Sequence, residues 1–224
     1  MNKLTPQMWG LIWQNTLQTF HMVSLSTVFS VLLGLPLGIL LCITSPESQG
    51  GLKPKPVINE ILSRIVNILR SFPFIILIIV LFPLSRLIVG TAIGTKSTIV
   101  PLSIAAAPFV ARLVETSLKE VDNGVIQAAK TMGSTNTQII FKVLLPEAMP
   151  SLISGLTLTI INLIGYSAMA GAVGGGGLGD LAIRYGYQRF RTDVLFIAVI
   201  IILVLVELIQ FAGNKISSHM MAKR

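Results

Sequence analysis

Few residues of this 224-residue chain could do chemistry, and most of them fail on spacing. Gly174, Gly176 and Gly179 satisfy G-x-G-x-x-G, the pattern of a dinucleotide-phosphate cradle. That cradle needs a strand before it and a βαβ unit around it, whereas here it follows an apolar run and precedes Arg184, Arg189 and Arg191. The plainer reading is a flexible or tightly turned exit from a membrane helix, and the sharper alternative is a gate or hinge formed by Gly174, Gly175, Gly176, Gly177 and Gly179. Cys42 is the single cysteine, and His21 and His219 lie too far apart for metal-ligand spacing, so no disulfide and no metal site is expected. No nucleophile stands beside a base, so no catalytic residue is expected. Arg70 and Arg112 are embedded in apolar sequence, where an ionisable group is a functional candidate by default. Both fall near the end of an apolar run, which favours snorkelling or a structural ion pair over a place on a substrate path. Glu207 reads as interfacial in the same way. Met132, Met149 and Met169 suit gap-filling in apolar cores, and none is taken as a thioether pocket.

The elements that must position these residues are membrane helices. Hydrophobic residues make up 53% of the chain, charged residues 12%, and mean hydropathy is +0.81, which excludes an ordinary soluble enzyme at about 25% charge. The net charge of +8 would suit nucleic acid, but the 17 Lys and Arg are scattered singly between apolar stretches, and membrane topology explains them better. No charge appears from Lys3 to Glu47, far longer than a signal-peptide core, and Leu41 before Cys42 spoils a lipoprotein cleavage site, so the N-terminal segment is expected to be retained.

Five spans are predicted, at about 20 apolar residues each. Span one covers Thr19 to Thr44 and is followed by an aqueous loop, SPESQGGLKPKP. Span two must begin near Ile58, because the segment Ser71–Ser85 between Arg70 and Arg86 is too short to cross, and Pro73 is a predicted kink within it. Span three covers Thr98 to Leu118, with Glu115 and Lys119 as an i,i+4 pair. Span four covers Ser151 to Val173 and span five Val194 to Ala212. Asp180 and Arg184 form a second i,i+4 pair that begins a short external helix, with Tyr185, Tyr187 and Phe190 at the interface. An odd number of spans puts the termini on opposite sides. With the C-terminus inside, Lys53, Lys55, Arg64, Lys119, Lys130, Lys142, Lys215, Lys223 and Arg224 are cytoplasmic, against Lys3, Arg86, Lys96, Arg184, Arg189 and Arg191 outside. That bias favours N-terminus out and C-terminus in.

Between spans three and four, residues 119–150 are too polar to span anything, yet Val125–Thr131 and Thr137–Leu145 read as short amphipathic helices. Gln127, Ala128, Ala129, Gly133, Val143, Leu145 and Pro146 stand there at a spacing that membrane helices do not require. Two short helices joined at Gly133 could present a compact knob to a cytoplasmic partner, with alanines allowing close approach and Pro146 starting the helix of span four. This loop resembles the EAA loop of bacterial ABC importer permeases, whose pattern is Glu-Ala-Ala, three residues, Gly, nine residues, Ile, one residue, Leu-Pro. Gln127 replaces the Glu, keeping hydrogen bonding but losing a charge, and Val143 replaces the Ile. The resemblance extends to RSFPFIILI from Arg70, PFVARLVE from Pro108 and GAVGGGGLGDLAIRYGYQRF from Gly171, and so covers nearly the whole chain. In these segments the chain is similar to the methionine-uptake permeases.

The resemblance implies an all-α polytopic protein of the type I importer kind, one permease domain over residues 1–224 with its cytoplasmic coupling loop at 119–150. It implies a multi-pass protein of the bacterial inner membrane, in contact with the lipid bilayer and with no nucleic acid. It implies a homodimer joined to two ATPase subunits that bind ATP and magnesium, with no cofactor in this subunit, and served by an extracytoplasmic methionine-binding lipoprotein. Alternating access driven by ATP is the implied mechanism. A secondary transporter or channel is the alternative, and the small span count, the lack of an internal hydropathy repeat and the lack of a paired acidic relay stand against it.

Overall fold

The computed structural model describes residues 5–46 and 51–222, all of them in helices, turns or irregular segments with no strand. Lys3, Glu47, Lys223 and Arg224, which entered the charge arguments, lie outside the described residues, as does part of the loop after span one. In chain order the helices are α1 (Pro6–Thr44), α2 (Pro56–Ser71), α3 (Phe74–Val80), α4 (Phe82–Val89), α5 (Thr95–Lys119), α6 (Asn123–Thr131), α7 (Asn136–Ile139), α8 (Leu145–Gly171), α9 (Gly177–Leu181) and α10 (Thr192–Met221). Four helical stretches, α1, α5, α7 through α8, and α10, are long and apolar enough to cross a membrane, and the bent pair α2 and α3 makes a fifth if joined.

Three sequence expectations are corrected. The helix that carries span one starts at Pro6 rather than Thr19, because the polar residues ahead of Thr19 do not end it: Asn15 Nδ2 donates to Leu11 O (2.8 Å) and Thr16 Oγ1 to Ile12 O (2.8 Å). Such back-bonding gives each of these side chains a bond to the helix backbone, so neither has to interrupt the helix. Span two is not one kinked helix. Pro73 lies outside both helices as the extended N-cap of α3, and α4 follows only after Leu81, where Pro83 is placed in its first turn. A proline imposes an extended preference on the residue before it, here Phe72, and this ends α2 one residue earlier. Pro146 does not start the helix of span four either. Ahead of α8 only Asn136–Ile139 is α-helical in the second half of the loop; Ile140–Leu144 is a π-helical stretch that runs without a gap into α8. The wider register, with Leu145 N donating to Ile140 O, precedes a residue that has no N–H to offer Lys142 O.

The chain divides into two compact units. One comprises residues 31–71, 107–158 and 211–224. In it Gly34 and Gly38 of α1 oppose Ala107 and Ala111 of α5, where an added Cβ would come within 2.6 Å of Ala107 O and 2.5 Å of Ala111 O. Small residues four apart on both helices let the backbones touch, the usual basis of helix association where lipid offers no hydrophobic contrast. Hydroxyls close the ends: Ser151 Oγ donates to Glu120 (2.8 Å), Ser154 Oγ to Ser217 Oγ (2.9 Å), and Ser217 Oγ to Pro150 O (3.0 Å). The other unit comprises residues 1–30, 72–106 and 159–210, with Met22, Ile78, Leu102, Leu163 and Ala170 fully buried at its centre and Phe74 stacked on Tyr166 at 4.6 Å.

Candidate functional site

The candidate coupling loop is built from capping chemistry. Asp122 caps α6, its carboxylate accepting from Gly124 N (2.6 Å). At the other end Gly133 adopts φ +79°, Gly133 N donates to Lys130 O (3.0 Å) and Ser134 N to Ala129 O (3.1 Å). Those two bonds are a Schellman closure, and they explain why a glycine must stand four residues after Ala129. Thr135 then caps α7 in a reciprocal box: its Oγ1 accepts from Gln138 N, and Gln138 Oε1 accepts from Thr135 N (2.8 Å). One helix is thus stopped and the next started within four residues.

The loop has two faces. Ile126, Ile139, Ile140 and Leu144 are buried with Val110, Val114 and Leu118 of α5, and Ala129 and Leu145 pack at the edge of this cluster. Gln127, Ala128, Gly133 and Pro146 are exposed, and Val143 is half-buried. Met132 (85% exposed) and Phe141 (61% exposed) belong to the outward face too, and sequence reasoning did not name them as part of it. The available signal was an amphipathic period carrying a large apolar residue on each face of the loop, since a soluble face would be polar.

A charge cluster braces the root of the loop. Buried Glu115 receives Arg112 Nη1 at 2.5 Å and Lys119 Nζ at 2.9 Å, so the expected Glu115–Lys119 pair is present and is extended by Arg112. Arg112 Nη2 also donates to Asn67 Oδ1 of α2 at 3.1 Å, and the Arg70 guanidinium lies 5.5 Å from the centre of the Phe109 ring. Both arginines therefore have structural partners. Glu207 is exposed on α10, and Met132, Met149 and Met169 are exposed rather than gathered round a pocket.

The glycine-rich segment lies in the other unit. Gly174, Gly176 and Gly177 have φ of +84°, +79° and +79°. Gly177 N donates to Gln18 Oε1 (3.0 Å) and Leu178 N to Thr19 Oγ1 (2.8 Å), which fastens the turn to α1. A Cβ on Gly175 would meet Ala170 O at 2.7 Å, and one on Gly179 would strike the Ala168 backbone. Asp180 is buried and bonded to Arg184, as the i,i+4 spacing predicted, and this hydrogen bond raises the Arg184 guanidinium above its ordinary pKa. The short helix expected there is present as α9, and it continues as a π-helical stretch over Ala182–Tyr187; Tyr187 and Phe190 are exposed, and Tyr185 carries the Arg189 guanidinium over its ring at 4.5 Å.

Comparison with known proteins agrees with this geometry. A family model described as the binding-protein-dependent transport system inner membrane component matches residues 30–220. The probable D-methionine transport system permease protein MetI of Pasteurella multocida (strain Pm70) is 50% identical over 216 residues, 96% of this chain and 98% of that protein. The methionine import system permease protein MetP of Bacillus subtilis (strain 168) is 48% identical over 207 residues, 92% of each chain. A solved structure described as inward-facing conformations of the MetNI methionine ABC transporter superposes with a TM-score of 0.93 at 44% identity, covering 96% of this chain and 99% of that one. A chain of apolar helices that match this family over most of their length belongs to the binding-protein-dependent transport system inner membrane components, the permeases of ABC importers.

Proposed function

We propose that this permease imports methionine, in the L form, the D form or both, as a homodimer carried on two ATPase subunits. Two relatives of similar length are described as methionine or D-methionine permeases, and they match 96% and 92% of this chain. The observation that carries the reading is the knob at 122–146, a capped helical turn with a buried apolar side and an exposed one bearing Met132 and Phe141. Such a body transmits force as a unit because its turn is closed by hydrogen bonds rather than left as a free loop. In this reading Gln127, Ala128, Ala129, Gly133, Val143, Leu145 and Pro146 form the ATPase-coupling loop within a single permease domain. ATP and magnesium are held by the ATPase, and closure of the ATPase dimer moves the two knobs and turns the path outward.

The glycine-rich segment Gly174–Gly179 acts as a hinge or gate facing an extracytoplasmic methionine-binding lipoprotein. The excess of cytoplasmic Lys and Arg supports a chain with its N-terminus outside and its C-terminus in the cytoplasm. The test is uptake of radiolabelled methionine by cells whose own methionine importers are deleted, with the chain expressed beside its ATPase. Uptake is expected to require both, and Gly133→Trp is expected to remove uptake and release the ATPase while the permease stays in the membrane. Uptake that survives with the ATPase still bound to the variant would refute the coupling assignment.

A further inference from the structure

Within the unit that carries the glycine-rich turn, α1, the start of α5 and the segment from Gly174 to Tyr185 line a half-open cavity of about 460 Å³. That volume lies within the roughly 300–1,000 Å³ of small-molecule sites. Its lining is unusual for so apolar a chain. Gln14, Asn15 and Gln18 border it from a single face of α1, and Asp180 and Arg184 border it from α9 and the π-helical stretch.

The hydrogen bonds already made there leave a defined set of groups over. Asp180 is 4% exposed, and its carboxylate receives both Nε and Nη2 of Arg184. This two-point grip fixes the guanidinium plane and leaves Nη1 with two N–H groups on a side chain that is 60% exposed. Asn15 Nδ2 is occupied by Leu11 O, so Asn15 Oδ1 is left as an acceptor; Gln18 Oε1 is occupied by Gly177 N, so Gln18 Nε2 is left as a donor. Gln14 is exposed and adds a whole amide. Leu11, Ile93 and Leu181 provide apolar wall beside them.

A fixed guanidinium edge suits a carboxylate, and amide oxygens suit an ammonium group. We propose that this cavity binds a free zwitterionic amino acid during transport, with its carboxylate on Arg184 Nη1, its ammonium on the amide oxygens of Asn15 and Gln14, and its side chain on the apolar wall. Asp180 acts as a positioning residue, holding Arg184 without meeting the ligand itself. The choice of methionine as the ligand rests on the function proposed above; the zwitterion chemistry does not.

The experiment is equilibrium binding of radiolabelled methionine to the purified permease–ATPase complex in nanodiscs, without any binding protein. Saturable binding is expected, with methionine methyl ester, which lacks the carboxylate, competing at least about 10-fold less well than methionine. Arg184→Gln is expected to weaken binding at least about 10-fold and Asn15→Leu about 3-fold, whereas Arg64→Gln, on the exposed side of α2, leaves it unchanged. Arg184→Lys keeps the ion pair to Asp180 but gives up the second edge, so it is expected to bind about 5-fold more weakly with an unchanged melting temperature, which separates recognition from folding. Equal competition by the ester, or binding indifferent to both Arg184 variants, overturns the proposal. So does an Arg184→Gln complex that loses its binding protein but keeps its affinity for methionine, because the cavity is then a protein contact. A wild-type complex that ignores methionine but binds another free amino acid through Arg184 upholds the site and removes the methionine assignment; one that binds none of the common amino acids removes the site.

Discussion

Gly133 and Gly179 are both glycines in short connections, and they are there for opposite reasons. Nothing lies within 4 Å of a Cβ placed on Gly133, but its φ of +79° is one that an L side chain resists. Gly179 has an ordinary φ, but a Cβ there would strike the backbone of Ala168. The first glycine shapes the chain and has open space around it; the second lets two backbone segments touch. The turn of the candidate knob is open to the outside, whereas α9 lies against the end of α8 with no space for a side chain at Gly179.

Substitutions can break this contrast or sharpen it. The largest loss of stability is expected from Ile139→Ala, because Ile139 is fully buried under the knob and its loss opens a cavity costing about 3–4 kcal/mol. Thermal unfolding of the detergent-solubilised chain would read this, and a shift within error would mean that the knob does not rest on α5. Gly179→Ala is next, at about 2–3 kcal/mol, since backbone rather than a flexible side chain must move. If this variant were as stable as the parent, the tight contact with Ala168 would not exist. Gly133→Ala should cost only about 1–2 kcal/mol, the conformational penalty of the left-handed region, and yet reduce uptake far more than Gly179→Ala does per unit of stability lost. Parallel uptake and melting measurements on the two alanine variants test that directly. Thr135→Ala removes one half of the capping box for about 1 kcal/mol and should slacken coupling without unseating the knob, seen as ATP hydrolysis that continues while uptake falls. At the small end, Met132→Ser should change stability by less than about 0.5 kcal/mol, because Met132 is 85% exposed, and still lower the amount of ATPase that co-purifies.

Part of the candidate coupling loop was legible because its signals are local. Ala129 and Gly133 lie within one Schellman turn and Glu115 and Lys119 one helical turn apart, each decided by residues a few positions away; the Thr135–Gln138 capping box is as local but was not among the expectations. The same loop also shows where local reading stops. Leu145-Pro146 looks like a helix start, but the backbone stays helical through it by widening to a π register, and no nearest-neighbour rule announces that change. Pro73 misled in the opposite direction. Proline inside an apolar run is compatible with a kink or with a break, and the choice fell to a break between α2 and α3.

The amino-acid sequence by itself determined the class of protein: a set of apolar helices, a polar loop with two short amphipathic helices, and glycines at most of the described positions of positive φ, Phe190 being the exception. These follow from hydropathy and backbone sterics, which act over one or two helical turns. Tertiary structure alone decided which face of the knob was left open and how Arg112 came to share Glu115 with Lys119. It also decided that Gln18 and Thr19, far from the glycine run in the chain, hold it down through Gly177 and Leu178. Those are pairings between distant segments, and each residue's own preferences are equally compatible with many partners until the helices have come together and left room for only one.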